Sequence, residues 1–99
     1  MSASVSTHVL DTGRGQPATG VLVELYRDDE IVAAGVTDGD GRLSLAANLE
    51  PAVYRLVFHP ASSAFFSRVE IEFVIDEAGK NVHVPLLVSP YSCTTYRGS

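Results

Sequence analysis

His8, His59 and His83 are the side chains of this 99-residue chain best suited to moving a proton near neutral pH. Histidine titrates there without a large shift, which makes it the usual general acid or base. His8 lies in "STHVL" and shares a strand face with Ser6 and Leu10, while His83 lies in "VHVPLL" and shares one with Pro85 and Leu87. His59 ends an apolar run just before Pro60, where a loop histidine needs no special role. Structural histidines outnumber catalytic ones, so by type alone all three are ordinary candidates. Arg42 follows "DGDG" at the head of a short strand. The bland reading is a solvated charge on a turn, since most arginines are exposed. "DGDG" matches part of a calcium loop but lacks the later ligands and the terminal Glu, so it reads as a tight turn. Two histidines without carboxylate partners make a weak zinc site, and no metal or other cofactor is expected. Cys93 has no activating motif and reads as a small packing residue. Tyr96, Arg97 and Ser99 form an unusual ending, in a place where chains commonly fray.

The elements that must position these groups are strands. "RVEIEFVID" places Val69, Ile71, Phe73 and Ile75 on one face and Glu70, Glu72 and Asp76 on the other. That alternation marks a half-buried strand. "VLVELYR" and "YRLVF" alternate in the same way. Turn residues in "GRGQP", "RDDE", "DGDG", "NLEP", "DEAGK" and "SP" separate the runs. The spacing predicts eight strands, at about 5–10, 21–27, 31–37, 42–45, 53–59, 67–75, 82–88 and 91–96. An antiparallel sandwich or barrel follows, with no helix of ten residues or more. "VHVPLLV" breaks the rule that a strand buried on one side is polar on the other, since His83, Pro85 and Leu87 back an apolar face. Pro85 argues against complete ladders on both sides. A covered outer face, and so an oligomer, is favoured over a strand central to a barrel. The uncharged "YSCTTY" is an unprotected edge that invites another chain.

Bulk properties bound the rest. The length predicts one domain over residues 1–99. A net charge of −5 argues against nucleic acid, where a basic face supplies most of the affinity. One cysteine permits no internal disulfide. The opening residues lack a basic region followed by an apolar run, and no stretch is long enough to span a membrane, so the cytoplasm is the expected location.

The opening "STHVLDTGRGQPATGVLVELYR" and the ending "NVHVPLLVSPYSCTTYRGS" resemble the transthyretin-related 5-hydroxyisourate hydrolases of purine catabolism, across nearly the whole chain. The terminal Tyr-Arg-Gly-Ser, here Tyr96 to Ser99, is that family's signature. The resemblance implies hydrolysis of 5-hydroxyisourate to 2-oxo-4-hydroxy-4-carboxy-5-ureidoimidazoline without a metal or other cofactor. It assigns His8, Arg42 and His83 to the catalytic set, with either histidine as the base. It gives Arg42, Tyr96, Arg97 and Ser99 to substrate binding, the tail lining the site. The hormone carrier transthyretin shares the fold but lacks this trio and this ending, so a non-enzymatic ligand carrier is the competing function. A structural sandwich module of a larger assembly is a further alternative.

The implied fold is an eight-stranded antiparallel transthyretin-like sandwich. It assembles as a homotetramer, a dimer of dimers with the active sites in the channel between them. Two departures stand out. Asn81 replaces the first histidine of the family's His-x-His, and "HPASSAFFSR" leaves no room for the family's short helix, an expected loss far from the channel.

Overall fold

Period-two alternation builds nine strands in the computed structural model, which describes residues 3–61, 63–77 and 79–98. They are β1 (Ala3–Asp11), β2 (Gln16–Pro17), β3 (Leu22–Arg27), β4 (Glu30–Val36), β5 (Arg42–Leu49), β6 (Ala52–His59), β7 (Val69–Ile75), β8 (Val82–Val88) and β9 (Cys93–Thr95). All eight expected strands are present. The addition is β2, inside "GRGQP": after the turn the chain returns and pairs Pro17 with Leu10 and Gln16 with Asp11. β5 also runs further than expected, to Leu49, with register shifts near Val5 absorbing the extra length. Among the described residues there is no helix.

One sheet has the order β2-β1-β8-β9, with β5 on the same side of β1 as β2; the other runs β4-β3-β6-β7. The two stack as a sandwich. Val5, Val9, Val23, Leu25, Leu56, Phe58, Leu86 and Val88 fill the space between them and are fully buried. Burying one such side chain contributes roughly 1.5–3 kcal/mol. Every pairing is antiparallel except one. β1 and β8 run parallel from Val5↔Val82 to Asp11↔Val88. Parallel neighbours need a long crossover, and here it is the entire chain between them, which passes through the second sheet.

β8 is therefore an inner strand of an open sheet. Along β1 its ladder is complete, but β9 covers only Leu86 to Val88. Pro85 sits where that second ladder stops. Its carbonyl accepts from Thr95 Oγ1 at 2.8 Å, and the His83 carbonyl accepts from the Gly98 N–H at 2.8 Å. Both carbonyls face the C-terminal side, so the N–H that Pro85 lacks is missing from the interrupted ladder and not from the complete one.

The 60–68 connection is tied to the β8–β9 turn. The Ala64 and Phe65 N–H groups both donate to the Pro90 carbonyl, at 3.1 and 3.2 Å. That turn lies beyond the far end of β8 from His83, so the contact of the short connection is remote from His83.

Candidate active site

Alternation and register together decide which side chains meet. On β1 the odd residues are buried, which leaves Ser4, Ser6, His8 and Leu10 on the outer face. On β8, Val82, Val84, Leu86 and Val88 are buried and His83 faces out. The registers pair Ser6 with His83, His8 with Arg42 and Ser6 with Ser44. Directly paired residues share a face. Three strands distant in sequence thus bring His8, Arg42 and His83 to one patch. Ser6, Arg42, Ser44, Asn81, His83 and Gly98 line an open cleft of about 480 Å³ there. A second cleft of about 520 Å³ shares Ser6, Ser44 and Asn81, so the groove continues along the sheet.

His83 is half-buried, with Nδ1 2.9 Å from Ser6 Oγ. Burial pushes its pKa below the ordinary histidine value, and the charges of Arg42 and His8 push it the same way; a bond to the Ser6 main chain opposes them. The ring is therefore neutral at neutral pH and able to accept a proton.

His8 Nε2 lies 2.9 Å from the Asp40 carbonyl. A carbonyl only accepts, so Nε2 carries a proton and Nδ1 is the nitrogen left for other work. Asp38 holds that carbonyl in place: its Oδ1 accepts from the Asp40 N–H at 2.9 Å and from the Arg42 N–H at 3.0 Å. These two bonds, the Arg42 one first, hold the Asp38 carboxyl below the usual range. Gly41 closes the turn at φ 75°, where a Cβ would strike the Val9 carbonyl. "DGDG" is thus the tight turn its composition predicts. It launches Arg42 and anchors His8 at once.

The tail reaches the site through Gly98. Its N–H bonds the His83 carbonyl, and a Cβ built on it would lie 2.5 Å from His83 Cδ2 and 3.2 Å from Cγ. The imidazole rests against a residue with no side chain. Gly98→Ala is expected to displace the ring and lower kcat about 10–10²-fold, since a misplacement of about 1 Å costs on that order. Circular dichroism is expected to stay at wild type. Unchanged kcat would show that the contact is incidental.

Tyr96 and Arg97 are placed elsewhere. Both are exposed, and they line a separate groove of about 240 Å³ with Ile71, Phe73, Val82 and Val84. The chain leaves the ladder after Thr95, so these two lie over the open edge of the core while Gly98 meets His83. Ser99 falls outside the described residues. His59 is on the other sheet, with Nε2 2.7 Å from Glu24 Oε1. Cys93 is half-buried against the core, and burial raises its pKa. Among the described residues no three His, Cys, Asp or Glu side chains cluster as metal ligands.

Ser6, Asp38, the Asp40 carbonyl and Gly98 are the site groups that residue type does not reveal. Ser6 carries a signal only in sharing a strand face with His8.

A family model described as HIUase/Transthyretin family matches residues 5–98. The 5-hydroxyisourate hydrolase of Pseudomonas aeruginosa is 39% identical over 114 aligned residues, covering 96% of this chain and 90% of that one. The aligned span exceeds 99 residues, so that relative carries segments this chain lacks. The structure of Klebsiella pneumoniae 5-hydroxyisourate hydrolase matches with a TM-score of 0.89 at 37% identity, over 98% of this chain and 99% of that one. The structure of transthyretin from Sparus aurata matches with a TM-score of 0.83 at 27% identity, over 95% of each.

Proposed function

The chain belongs to the HIUase/Transthyretin family, and from that premise we propose that it hydrolyses 5-hydroxyisourate in urate degradation. The observation that carries the proposal is the meeting of His8, Arg42 and His83 on one outer face beside a cleft. A carrier needs a cleft. A hydrolase needs in addition a base, a group for developing charge and a proton donor, and this face holds a candidate for each.

In the proposed reaction the neutral His83 takes a proton from water as its oxygen bonds the lactam carbonyl carbon. The Arg42 guanidinium holds the heterocycle's oxygens and offsets the charge that grows on the carbonyl oxygen. The C–N bond then breaks, and the proton that His83 took from water passes by way of His8 Nδ1 to the leaving nitrogen, while His8 Nε2–H stays on the Asp40 carbonyl and both rings end neutral. No metal or other cofactor is required. Gly98 supports the base. Tyr96 and Arg97 hold the tail over the core edge and shape the approach to the site. Ser99 closes it, as the family resemblance implies. Carbon-13 NMR of the product tests the reaction directly. The ring-opened 2-oxo-4-hydroxy-4-carboxy-5-ureidoimidazoline is expected, and unaltered substrate held in the cleft would favour the carrier.

The working form is a homotetramer built as a dimer of dimers, in the cytoplasm. β9 is a sheet edge with Thr94 and Thr95 exposed, and the His83 face is an open groove. Both invite cover by further copies. Sedimentation is expected to give four chains per particle, and a stable, active monomer would reject the assembly. Among the described residues no helix is long and apolar enough to cross a membrane.

A further inference from the structure

We propose that Ser6 is a positioning residue that fixes the tautomer of His83, with the proton on Nδ1 and the lone pair on Nε2; the proposal rests on the catalytic role given to His83. The two residues are 77 apart in sequence, yet they are direct partners in the parallel β1–β8 ladder, and Ser6 Oγ lies 2.9 Å from His83 Nδ1.

A neutral imidazole carries one proton on two nitrogens, and its partners decide which. A hydroxyl alone leaves the question open, since it donates or accepts. The work of the base decides it. Ser6 Oγ engages Nδ1, which leaves Nε2 to take the proton from water, so the neutral ring carries its own proton on Nδ1 and donates it to Ser6 Oγ.

The pair is held on either side. Thr7, next to Ser6, is buried and donates to the Val84 carbonyl at 2.6 Å, which locks β1 to β8 at this point. Gly98 lies against the ring carbons. Among the described residues, the bond with Ser6 is the one that distinguishes the two ring nitrogens. In the serine-protease triad, loss of the group that sets the catalytic tautomer lowers kcat by about 10⁴. A neutral hydroxyl is a weaker director than a carboxylate, so a loss of about 10–10²-fold is expected here.

The test is nitrogen-15 NMR of histidine-labelled intact protein at neutral pH, with kinetics of Ser6→Ala and Ser6→Thr. In the wild type, Nδ1 of His83 is expected to be the protonated nitrogen and Nε2 the bare one. Ser6→Ala is expected to mix the tautomers, lower kcat about 10–10²-fold with KM within about twofold, and move the acid limb of kcat to lower pH, because the charged ring loses an acceptor. Ser6→Thr keeps the hydroxyl and is expected to restore most of kcat. A wild-type ring protonated on Nε2 overturns the proposal even if Ser6→Ala folds poorly. So does wild-type kcat with unchanged nitrogen shifts in Ser6→Ala. If His83→Ala is inactive in that case, the proposal for Ser6 fails alone; if His83→Ala is fully active, the catalytic role of His83 fails with it.

Discussion

His83→Ala is expected to lower 5-hydroxyisourate turnover about 10²–10⁴-fold, the usual scale for losing a general base. The fold is expected to survive, because His83 points away from the core and its strand is held by main-chain ladders on β1 and β9. The pH dependence follows from the same residue. The base must be neutral, and burial with the nearby Arg42 and His8 charges lowers its pKa. Wild-type activity is therefore expected to persist to lower pH than an ordinary histidine would allow, and to fall as pH drops through the lowered value. His8→Ala is expected to reduce the rate on the same scale while keeping an acid limb, moved to higher pH because one of the charges that lowers the His83 pKa is gone. Retention of wild-type rates by both variants would remove these two histidines from the chemistry.

Deleting Tyr96 to Ser99 is expected to cost at least about 10²-fold in kcat with little change in melting temperature. The small stability cost follows from burial. Tyr96 and Arg97 are exposed, and β9 ends at Thr95, so the deletion leaves the sheet whole. The large activity cost follows from Gly98. Its N–H holds the His83 carbonyl, and its Cα backs the imidazole. Without it the ring has room to turn and water has access to it from that side. Full activity with an unchanged melting temperature would reduce the tail to a loose end. A large drop in melting temperature would instead assign it to the fold.

Strand positions and faces were legible because burial on one side imposes period two, and β1, β3 and β7 obey it closely, as does β8 apart from the buried Pro85. That is why Ser6, His8 and His83 could be assigned to outer faces from sequence. The neighbour of each strand was not legible. No local signal reports that β1 lies parallel to β8, and the Ser6–His83 contact depends on that register alone. β2 was hidden for the same reason. Gln16 and Pro17 read as part of a turn, and only their partners Asp11 and Leu10 make them a strand. His8, Arg42 and His83 stood out by residue type and by resemblance. The groups that hold it did not, because a turn aspartate, a main-chain carbonyl and a glycine acquire their roles only from three-dimensional proximity. Tyr96 and Arg97 line a groove with Ile71 and Phe73, and Gly98 is the residue whose N–H bonds the His83 carbonyl.

The central claim is that this face turns over 5-hydroxyisourate as an enzyme. The most direct measurement is the ultraviolet decay of freshly generated substrate with protein at a hundredth of its concentration or less. The expected result is complete decay, at an initial rate proportional to protein and lost in His83→Ala. Decay no faster than in buffer, or a change that stops at one substrate per chain, would contradict it.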